Sequence, residues 1–396
     1  METYLIDWLN LLVRWLHLIV GIAWIGASFY FVMLDNSLSR PKKVADAERG
    51  VSGELWAVHG GGFYVSQKFP LGPLGESLSE NLHWSKWEAY STWLSGMGLM
   101  AIIYWHGAGT YLIDRNVLAL SPAAAIGISI ASIVGGWLVY DALCRTLAGR
   151  DGLLAGIVFV LIVAAAWGLF QVFSARAAYL HIGAIMGTMM VANVAHHIIP
   201  GQRKMVAAIR AGVAPDPKHG IVGKQRSVHN TYFTLPVLFT MISNHYPMTY
   251  SHPYGWLVLA MIMAAGVLIR QYFVLRHQDA ANPLLLVAAV LLLVSVIAWL
   301  APAPSASGGA SANYKAVRAV LDHRCVNCHA AQPTQAGFAQ PPKGVMLETS
   351  EQVAQHAAKI AETIANRYMP IGNLTQMTDD ERALVSRWFA AGAKTN

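Results

Sequence analysis

Two cysteines and a histidine near the C-terminal end of the chain have the spacing of a covalent haem attachment site. They form the run Cys325-Val-Asn-Cys328-His329. In a C-x-x-C-H motif both thiols bond to the porphyrin, and the adjacent histidine reaches the iron. We therefore expect a covalently bound c-type haem, with Cys325 and Cys328 as attachment points and His329 as an iron ligand.

A bare pair of cysteines at this spacing also serves in zinc sites and in redox-active dithiols. The chain has three cysteines, and the third, Cys144, lies far away in sequence. A zinc site of four cysteines therefore cannot be built. Met369 supplies the thioether expected of a second iron ligand. Met377 and Met346 are alternatives, and any of the three could instead fill a core.

The motif belongs to a C-terminal domain, residues 314–396. It follows a linker at 301–313 that is rich in Pro, Gly and Ser and has no apolar periodicity. A short helix is predicted from Asn313 to Arg324. Thr378 and Glu381 have the spacing of a capping box, which predicts a final helix. Two terminal helices around a haem resemble the class I cytochrome c family.

The composition of residues 1–300 predicts an integral membrane domain. Apolar residues make up 55% of the chain and charged residues 12%, about half of the usual charged share. The long apolar blocks predict eight transmembrane helices, which makes the fold class all-α: an eight-helix bundle followed by a class I cytochrome c domain. The predicted spans are Leu9–Leu34, Tyr90–Leu112, Leu118–Tyr140, Leu153–Phe173, Ala177–Ile199, Thr231–Tyr246, Tyr254–Leu275 and Pro283–Leu300.

The distribution of basic residues predicts the orientation. Covalent haem c is attached on the periplasmic side in bacteria, so an even number of spans also places the N-terminus there. The loops then placed inside hold 15 lysines and arginines, against two in the outside loops. This asymmetry is the one that the positive-inside rule predicts. We expect a multi-pass protein of the bacterial inner membrane with a periplasmic cytochrome domain.

Ionisable side chains within predicted spans are costly and often functional. His17 in the first span and His181 in the fifth each follow an arginine and precede small residues. The shared pattern suggests a 4+4 internal repeat. Gly21 and Gly26 would let a helix or a flat macrocycle approach. His17 and His181 are therefore candidate ligands of a b-type haem, ahead of His106 and His245. A histidine hydrogen-bonded to a neighbouring helix is the simpler alternative.

Further histidines and aromatic residues cluster in the first long loop, on the side predicted to be cytoplasmic. One group is His59, Phe63 and Tyr64, with three glycines between His59 and Phe63. A second group is His83, Trp84, Lys86, Trp87 and Glu88. Flexible backbone beside aromatic rings can close on a flat ligand, although an interfacial aromatic belt has the same composition.

Five stretches carry a resemblance to the bacterial membrane-bound urate oxidase (urate hydroxylase) family, whose members join an eight-helix domain to a C-terminal cytochrome c. The likeness runs in order along essentially the whole chain. The stretches are Trp24–Tyr30, His59–Tyr64, Leu82–Tyr90, His229–Pro236 and Ser243–Pro247.

The resemblance implies purine catabolism, with oxidation of urate to 5-hydroxyisourate and release of electrons through haem c rather than formation of hydrogen peroxide. Urate is a flat, anionic purine, so its pocket needs charge, aromatic walls and a base. We expect catalytic roles for His59, His83, Lys86 and Glu88. We expect the substrate to be bound by Phe63, Tyr64, Trp84, Trp87, His229 and Asn230.

Two other classes of protein stay open at this stage. Terminal oxidases and nitric oxide reductases also have many histidines within their spans. The pair His196-His197 suggests an enzyme of this kind. A subunit that passes electrons from quinol to cytochrome c, without urate chemistry, has the same parts. Partners common to all three are the lipid bilayer and an electron acceptor beyond haem c. The net charge of +7 is accounted for by the inside loops and needs no nucleic acid.

Overall fold

The computed structural model describes residues 2–301, 313–335 and 338–395. The protein is mostly helical, with 68% helix and 4% strand. Most of the predicted linker lies outside the described residues. The helices of the first 301 residues are α1 Glu2–Asn36, α2 Val44–Glu48, α3 Trp87–Leu99, α4 Pro122–Thr146, α5 Asp151–Phe170, α6 Ala175–Ala192, α7 Ile199–Arg210, α8 Pro217–Ile242, α9 Pro247–Tyr250, α10 Gly255–Arg276 and α11 Leu284–Trp299.

Several of these helices are apolar enough to lie in a membrane. In the part of the chain that the structure describes, five helical stretches have the length and composition to cross a bilayer: Tyr4–Asn36, Pro122–Thr146, Asp151–Phe170, Ala175–Arg210 and Gly255–Arg276. Each of the eight predicted spans overlaps a helix of the structure. The length and composition of these helices are thus consistent with a membrane protein. The number of crossings stays a prediction.

The sixth predicted span corresponds to a helix that is longer than expected. It was predicted from Thr231, whereas α8 begins at Pro217 and contains 26 residues. Its first turns carry lysine, histidine and arginine, which a search for apolar blocks passes over. Pro236 lies inside α8, and the helix continues past it. As a result Arg226, counted in a loop from the sequence, lies within a helix.

Three short π-helical segments interrupt or extend the long helices. They cover Met100–Trp105, Ala108–Leu112 and Asn193–Ile198. Segments of this kind are rare and are frequent at functional sites. The first two follow α3, and the third joins α6 to α7.

Helix α6 lies at the centre of the bundle and packs against α4, α5 and α8. Its buried residues include Tyr179, Ile182 and Met186, which belong to the main apolar core. Close contact with α8 depends on Gly183, because a Cβ atom at this position would overlap the side chain of Thr240. By contrast α1 packs mainly on α3, and its apolar side chains are largely exposed, as expected for a helix facing lipid.

The first long loop forms an antiparallel hairpin of β1 (Gly53–His59) and β2 (Gly62–Lys68). The register pairs His59 with Gly62 and Gly53 with Lys68. Gly60 and Gly61 form the turn, and both have positive φ angles of 59° and 81°, which glycine adopts without strain. Lys68, at the other end of β2, bonds to Asp35 at the end of α1.

The C-terminal domain is helical, with α12 Tyr314–Arg324, α13 Ser350–Ala365 and α14 Asp379–Ala390. Its core contains Leu321 of α12, Ile360 of α13 and Trp388 of α14. The predicted capping box is confirmed, because Thr378 accepts from the backbone of Glu381 and the Glu381 side chain accepts in return. The predicted helix before the cysteine motif is confirmed as well.

The C-terminal domain contacts one end of the helical bundle. Gly372 lies against the π-helical segment at 108–112, where a Cβ atom would come within 2.5 Å of the Thr110 carbonyl oxygen. Asp7 of α1 and Tyr368 both lie close enough to Tyr111 to interact with it electrostatically. The start of α1 and the C-terminal domain are therefore at the same end of the helices.

A charged pair inside the C-terminal domain makes its stability depend on pH. Burial raises the pKa of Glu381, but hydrogen bonds from Arg324 at 3.0–3.1 Å outweigh it and leave the pKa below its ordinary value of 4.5. A lowered carboxyl pKa stabilises the fold at higher pH, and this stability is lost as the pH falls through the folded-state pKa. Glu381→Gln keeps the cap and removes the charge, so at pH 7 it should lower the free energy of unfolding by about 1.5–3 kcal/mol.

Hydrogen exchange of peptides from α12 and α14, measured in the full-length protein at pH 7 and below pH 4, checks this expectation. The wild type should approach the Glu381→Gln variant in acid. Asp380→Asn, an exposed position on the same turn, is the matched control. Equal protection of wild type and Glu381→Gln at pH 7 would contradict the assigned role of the pair.

Candidate functional site

The cysteine motif lies just after α12, with its histidine already oriented. Nδ1 of His329 is 2.9 Å from the Val345 carbonyl oxygen. This bond fixes the ring and directs Nε2 away from the backbone, as is usual for iron-binding histidines. Burial raises the pKa of the Cys325 thiol to about 12, whereas a redox-active dithiol needs a lowered thiol pKa. The residues present fit covalent haem better than dithiol chemistry.

The two leading methionines have different environments. Met377 is 3% exposed and belongs to the core of the C-terminal domain, together with Leu321 and Trp388. Met369 is only partly buried, and its backbone is held by Arg382, which donates to the Met369 carbonyl at 2.8 Å. Met377 is therefore occupied in packing, while the side chain of Met369 lies near the surface of the domain. Within the described residues, no group of three or more His, Cys, Asp or Glu is arranged to hold a metal ion.

A second polar site lies within the helical bundle, centred on Asp141 of α4. Arg226 of α8 donates from Nη2 to one carboxylate oxygen at 2.8 Å, and Nε2 of His197 is 2.6 Å from the same oxygen. Arg145 donates to the other oxygen at 2.8 Å. The Arg226 side chain is 2% exposed, whereas that of Arg145 is 69% exposed. One carboxylate faces two arginines, so the site has a net positive charge.

A chain of hydrogen bonds leads from Arg226 to a histidine. Arg226 donates to Oδ1 of Asn193 at 3.1 Å, which turns the Asn193 amide nitrogen toward the Tyr140 hydroxyl at 2.9 Å. The Tyr140 hydroxyl in turn lies 2.8 Å from Nδ1 of His229. Because the Tyr140 oxygen accepts from Asn193, its proton points to Nδ1. A neutral His229 then carries its own proton on Nε2, which has no partner among the described residues.

We call this group of residues the Arg226 cluster: Tyr140, Asp141, Asn193, His197, Arg226, His229 and Asn230. Asn230 also bonds to it, accepting from Asn193 at 2.9 Å and donating to the Met190 carbonyl at 3.1 Å. Asn193 and His197 lie on the π-helical segment between α6 and α7. Nε of Arg226 is buried without a partner in the described structure, and the other bonds of this buried polar network fix the geometry of the groups at its edge.

The edge of the Arg226 cluster opens into a cavity of about 1410 Å³ between α5, α8 and α10. Tyr140 and His229 line it, together with Tyr232, Phe233 and Gln271. Most of the wall is apolar, with a few polar side chains among the lining residues, which is the usual composition of a small-molecule site. Lys68 and Lys224 also line the cavity, and both bond to Asp35. These three side chains add one net positive charge.

The comparison with protein families identifies what kind of bundle this is. Residues 3–301 match the family described as urate oxidase, N-terminal. The chain belongs to that family. The comparisons with curated proteins and with solved structures found no match. Family membership supports a urate oxidase-like activity, hence an oxidoreductase with urate as substrate, and the matched region contains the Arg226 cluster and its cavity.

In this member of the urate oxidase family, the structure brings together some of the predicted site residues and leaves the others apart. His229 and Asn230 are both in the Arg226 cluster. His59, Phe63 and Tyr64 lie at the exposed end of the hairpin, where the Phe63 side chain is 78% exposed.

The second predicted group lies at the start of α3 and makes local contacts. His83 is 3.9 Å from Glu88, and the Lys86 ammonium lies 5.8 Å from the ring centroid of Trp87. Trp84 packs with Trp24 against a small apolar cluster. The roles assigned to these residues from the sequence stay predictions.

Sequence reasoning missed the residues that hold the Arg226 cluster together. Arg226 was counted among the charges of a loop, and Asp141 falls immediately after the predicted end of the third span. The available signal was the polarity of α8: it carries Arg226, His229 and Asn230 at a helical spacing that puts positions 226 and 230 on one face. The sequence does not show which helix supplies the carboxylate that Arg226 bonds to.

The two candidate ligands for a b-type haem differ in fit. Nδ1 of His17 lies 3.0 Å from the Thr92 carbonyl and 3.0 Å from the Ser95 hydroxyl, and Nε2 has no described partner. Its ring contacts Gly96, where a Cβ atom would be 3.0 Å from Cε1. No atom of another element lies within 4 Å of the Cβ positions of Gly21 and Gly26, so no helix packs there. The ring therefore makes the hydrogen bond to a neighbouring helix that the simpler alternative predicts, and Nε2 is left for a further partner.

His181 does not fit that role in this arrangement. It is fully buried, with Nε2 at 2.6 Å from the Ser129 hydroxyl and Nδ1 at 2.8 Å from the Ala177 carbonyl. The ring of Phe173 packs against it at 4.8 Å between centroids. Both ring nitrogens are occupied and no space for a macrocycle adjoins them, so the residue holds α4 against α6.

Proposed function

We propose that this protein oxidises urate to 5-hydroxyisourate and passes the electrons to a haem c held by Cys325, Cys328 and His329. The observation that carries the proposal is the match of residues 3–301 to the urate oxidase, N-terminal family. The haem motif in the following domain supports a cytochrome as the electron acceptor instead of dioxygen.

The reaction balances with water as the oxygen source. Urate loses two electrons and two protons to give a dehydro form, and water adds at C5. The net change is urate plus water to 5-hydroxyisourate, two protons and two electrons. A haem c accepts one electron at a time, so the protein must deliver the pair in two steps.

The Arg226 cluster has the properties required to bind the urate anion. Its polar groups lie in a site of low dielectric constant, where a hydrogen bond to the anion is strong. His229 presents its Nε2 proton to the cavity and can donate to a urate oxygen. Tyr140 and Phe233 supply aromatic surface beside it. Lys68 and Lys224, with Asp35 between them, leave one positive charge on the cavity wall that attracts the anion.

The residues of the C-terminal domain fit a covalent haem whose iron is bound by His329 and Met369. When bound, this group supplies a one-electron acceptor. The Val345 carbonyl fixes the His329 ring, and Arg382 holds the backbone of the Met369 segment. Met377 fills the core of the domain, which supports Met369 as the second ligand.

The substrate site and the cytochrome domain lie at different ends of the bundle. Asn193 of the Arg226 cluster and Arg176, near the C-terminal domain, are 17 positions apart along one helix, or roughly 26 Å at 1.5 Å per residue. Electron transfer over that distance in one step is slow. A second redox group within the bundle would divide it, and His17 is the residue whose ring fits such a group.

Replacing His17 by alanine should remove a b-type haem band from the spectrum of the purified protein. The reason is that its Nε2 has no described partner, while Nδ1 is fixed by Thr92 and Ser95. A pyridine haemochrome spectrum, which separates b-type from c-type haem, measures the loss. His277→Ala, a histidine at the C-terminal end of α10, is the control. An unchanged ratio of haem b to haem c in His17→Ala would contradict the assignment.

The experiment that tests the proposed function is stopped-flow mixing of the oxidised protein with urate under anaerobic conditions. The haem c should become reduced, and 5-hydroxyisourate should form in a ratio of one molecule to two electrons. No hydrogen peroxide should be produced when air is admitted. Reduction by a quinol but not by urate would instead show a quinol-to-cytochrome c subunit.

A further inference from the structure

Two arginines at the cytochrome end of the bundle have no carboxylate partner among the described residues. Arg14 of α1 bonds to Asn10 at 3.0 Å. Arg176, in the first turn of α6, places its guanidinium 5.5 Å from the ring centroid of Tyr111. The two arginines lie near each other. Arg14 is exposed, whereas Arg176 is partly buried, and a partly buried cation without a carboxylate is costly; this points to an anionic partner that the described residues do not supply.

Buried polar groups around Arg176 lack partners as well. The Tyr250 hydroxyl has no hydrogen-bond partner in the described structure, and the Tyr104 hydroxyl has none of good geometry but lies beside the Arg176 guanidinium; the two residues are 4% and 3% exposed. Both hydroxyls interact electrostatically with Arg176, whose Nε is also buried and unbonded. Buried polar atoms are nearly always hydrogen-bonded. We call Arg14, Tyr104, Arg176 and Tyr250 the Arg176 cluster; it offers several donors and no acidic group.

The C-terminal domain lies directly over the Arg176 cluster. Tyr368, which precedes the proposed iron ligand Met369, interacts electrostatically with Arg176. Cys328 lies near Tyr111. Gly372 packs on the π-helical segment that carries Tyr111. The Arg176 cluster and the haem attachment residues therefore lie at the same junction between the two parts of the chain.

We propose that the Arg176 cluster binds the propionate carboxylates of a haem at the junction of the two domains. The proposal rests on the haem assignment made under Proposed function. The planar guanidinium matches a carboxylate with two parallel hydrogen bonds, and a haem carries two carboxylates on an otherwise apolar ring. Either the covalent haem c or a non-covalent haem bound by His17 can supply them, because Arg14 lies one helical turn from His17.

The test uses the full-length protein in detergent, with the variants Arg176→Met, Arg176→Lys and Tyr250→Phe. The readouts are haem b and haem c content by pyridine haemochrome, and the reduction equilibrium of haem c by redox titration. If the carboxylates belong to the non-covalent haem, Arg176→Met should lose haem b. If they belong to haem c, its content should be unchanged and its equilibrium should shift about tenfold or more toward the oxidised form, since an unpaired carboxylate stabilises ferric iron. Either result supports the proposal.

The conservative variants separate this role from a general effect on folding. Arg176→Lys should restore part of the change, and Tyr250→Phe should shift the same readout by less. Arg115→Met, an exposed arginine at the same end of the bundle, should leave both readouts unchanged. Unaltered haem content and equilibrium in Arg176→Met and Tyr250→Phe would overturn the proposal, as would a raised KM for urate with both readouts unaltered. Wild-type protein without any haem would instead refute the proposed function.

Discussion

His229→Leu should lower kcat/KM for urate by about 10- to 100-fold. The substitution removes the Nε2 donor that His229 presents to the cavity, and a hydrogen bond to an anion contributes about 1.5–3 kcal/mol. Tyr140→Phe should act in the same direction with a smaller effect, because it removes the hydroxyl that sets the tautomer of His229. Steady-state kinetics with an artificial electron acceptor measures both. A double variant should lose less than the two single effects added together, because the residues act as one unit.

Arg145, the second arginine that bonds to Asp141, provides a matched control. Arg145 bonds to the same carboxylate but is largely exposed, so Arg145→Met should change kcat/KM less than threefold, within the usual small contribution of an exposed pair. If His229→Leu retains the wild-type kcat/KM, the Arg226 cluster does not bind urate. The predicted residues of the hairpin and of the start of α3 would then be the next to test.

His329→Ala should abolish the onward transfer of electrons from urate. The variant keeps both cysteines, so the porphyrin can still attach, but the iron loses the ligand that Val345 orients. Anaerobic mixing with urate should then give no reduction of haem c, and steady-state turnover with a cytochrome acceptor should fall to background. The double substitution Cys325→Ser and Cys328→Ser should have the same effect on turnover and should also remove covalent haem from the denatured chain.

The control for this experiment is His323→Ala, an exposed histidine near the end of α12. In this variant urate should reduce haem c at the wild-type rate. Continued urate oxidation by the His329→Ala or the cysteine variant, accompanied by hydrogen peroxide, would show that dioxygen accepts the electrons. That result would contradict the proposed electron route while leaving the urate chemistry intact.

Local patterns predicted local structure well in this chain. The apolar blocks predicted where helices lie, because a helix in a membrane needs a long apolar stretch regardless of its neighbours. The capping box at Thr378 predicted the start of α14, since both of its bonds form within four residues. The resemblance to the urate oxidase family agrees with the family match at 3–301.

Predictions that depend on neighbouring helices succeeded less often. His17 and His181 have the same sequence context, but the structure leaves one Nε2 free and bonds the other to Ser129. The difference arises from α4, which packs on α6 and not on α1. Likewise the glycines after His17 contact no other helix, whereas Gly183 in α6 contacts α8. Similar motifs thus have different roles because different helices face them.

By itself the sequence predicted the helical composition and named His229 and Asn230, because each of these is encoded within a short segment; the haem attachment and the substrate-binding roles stay predictions. Only the tertiary structure decided that Arg226 and Asp141 meet, and that Arg176 has no carboxylate partner among the described residues. The physical reason is that a buried charge is satisfied by whichever group the packing of distant helices places next to it. Pairing across 85 positions, as between Arg226 and Asp141, leaves no periodic signal in the chain.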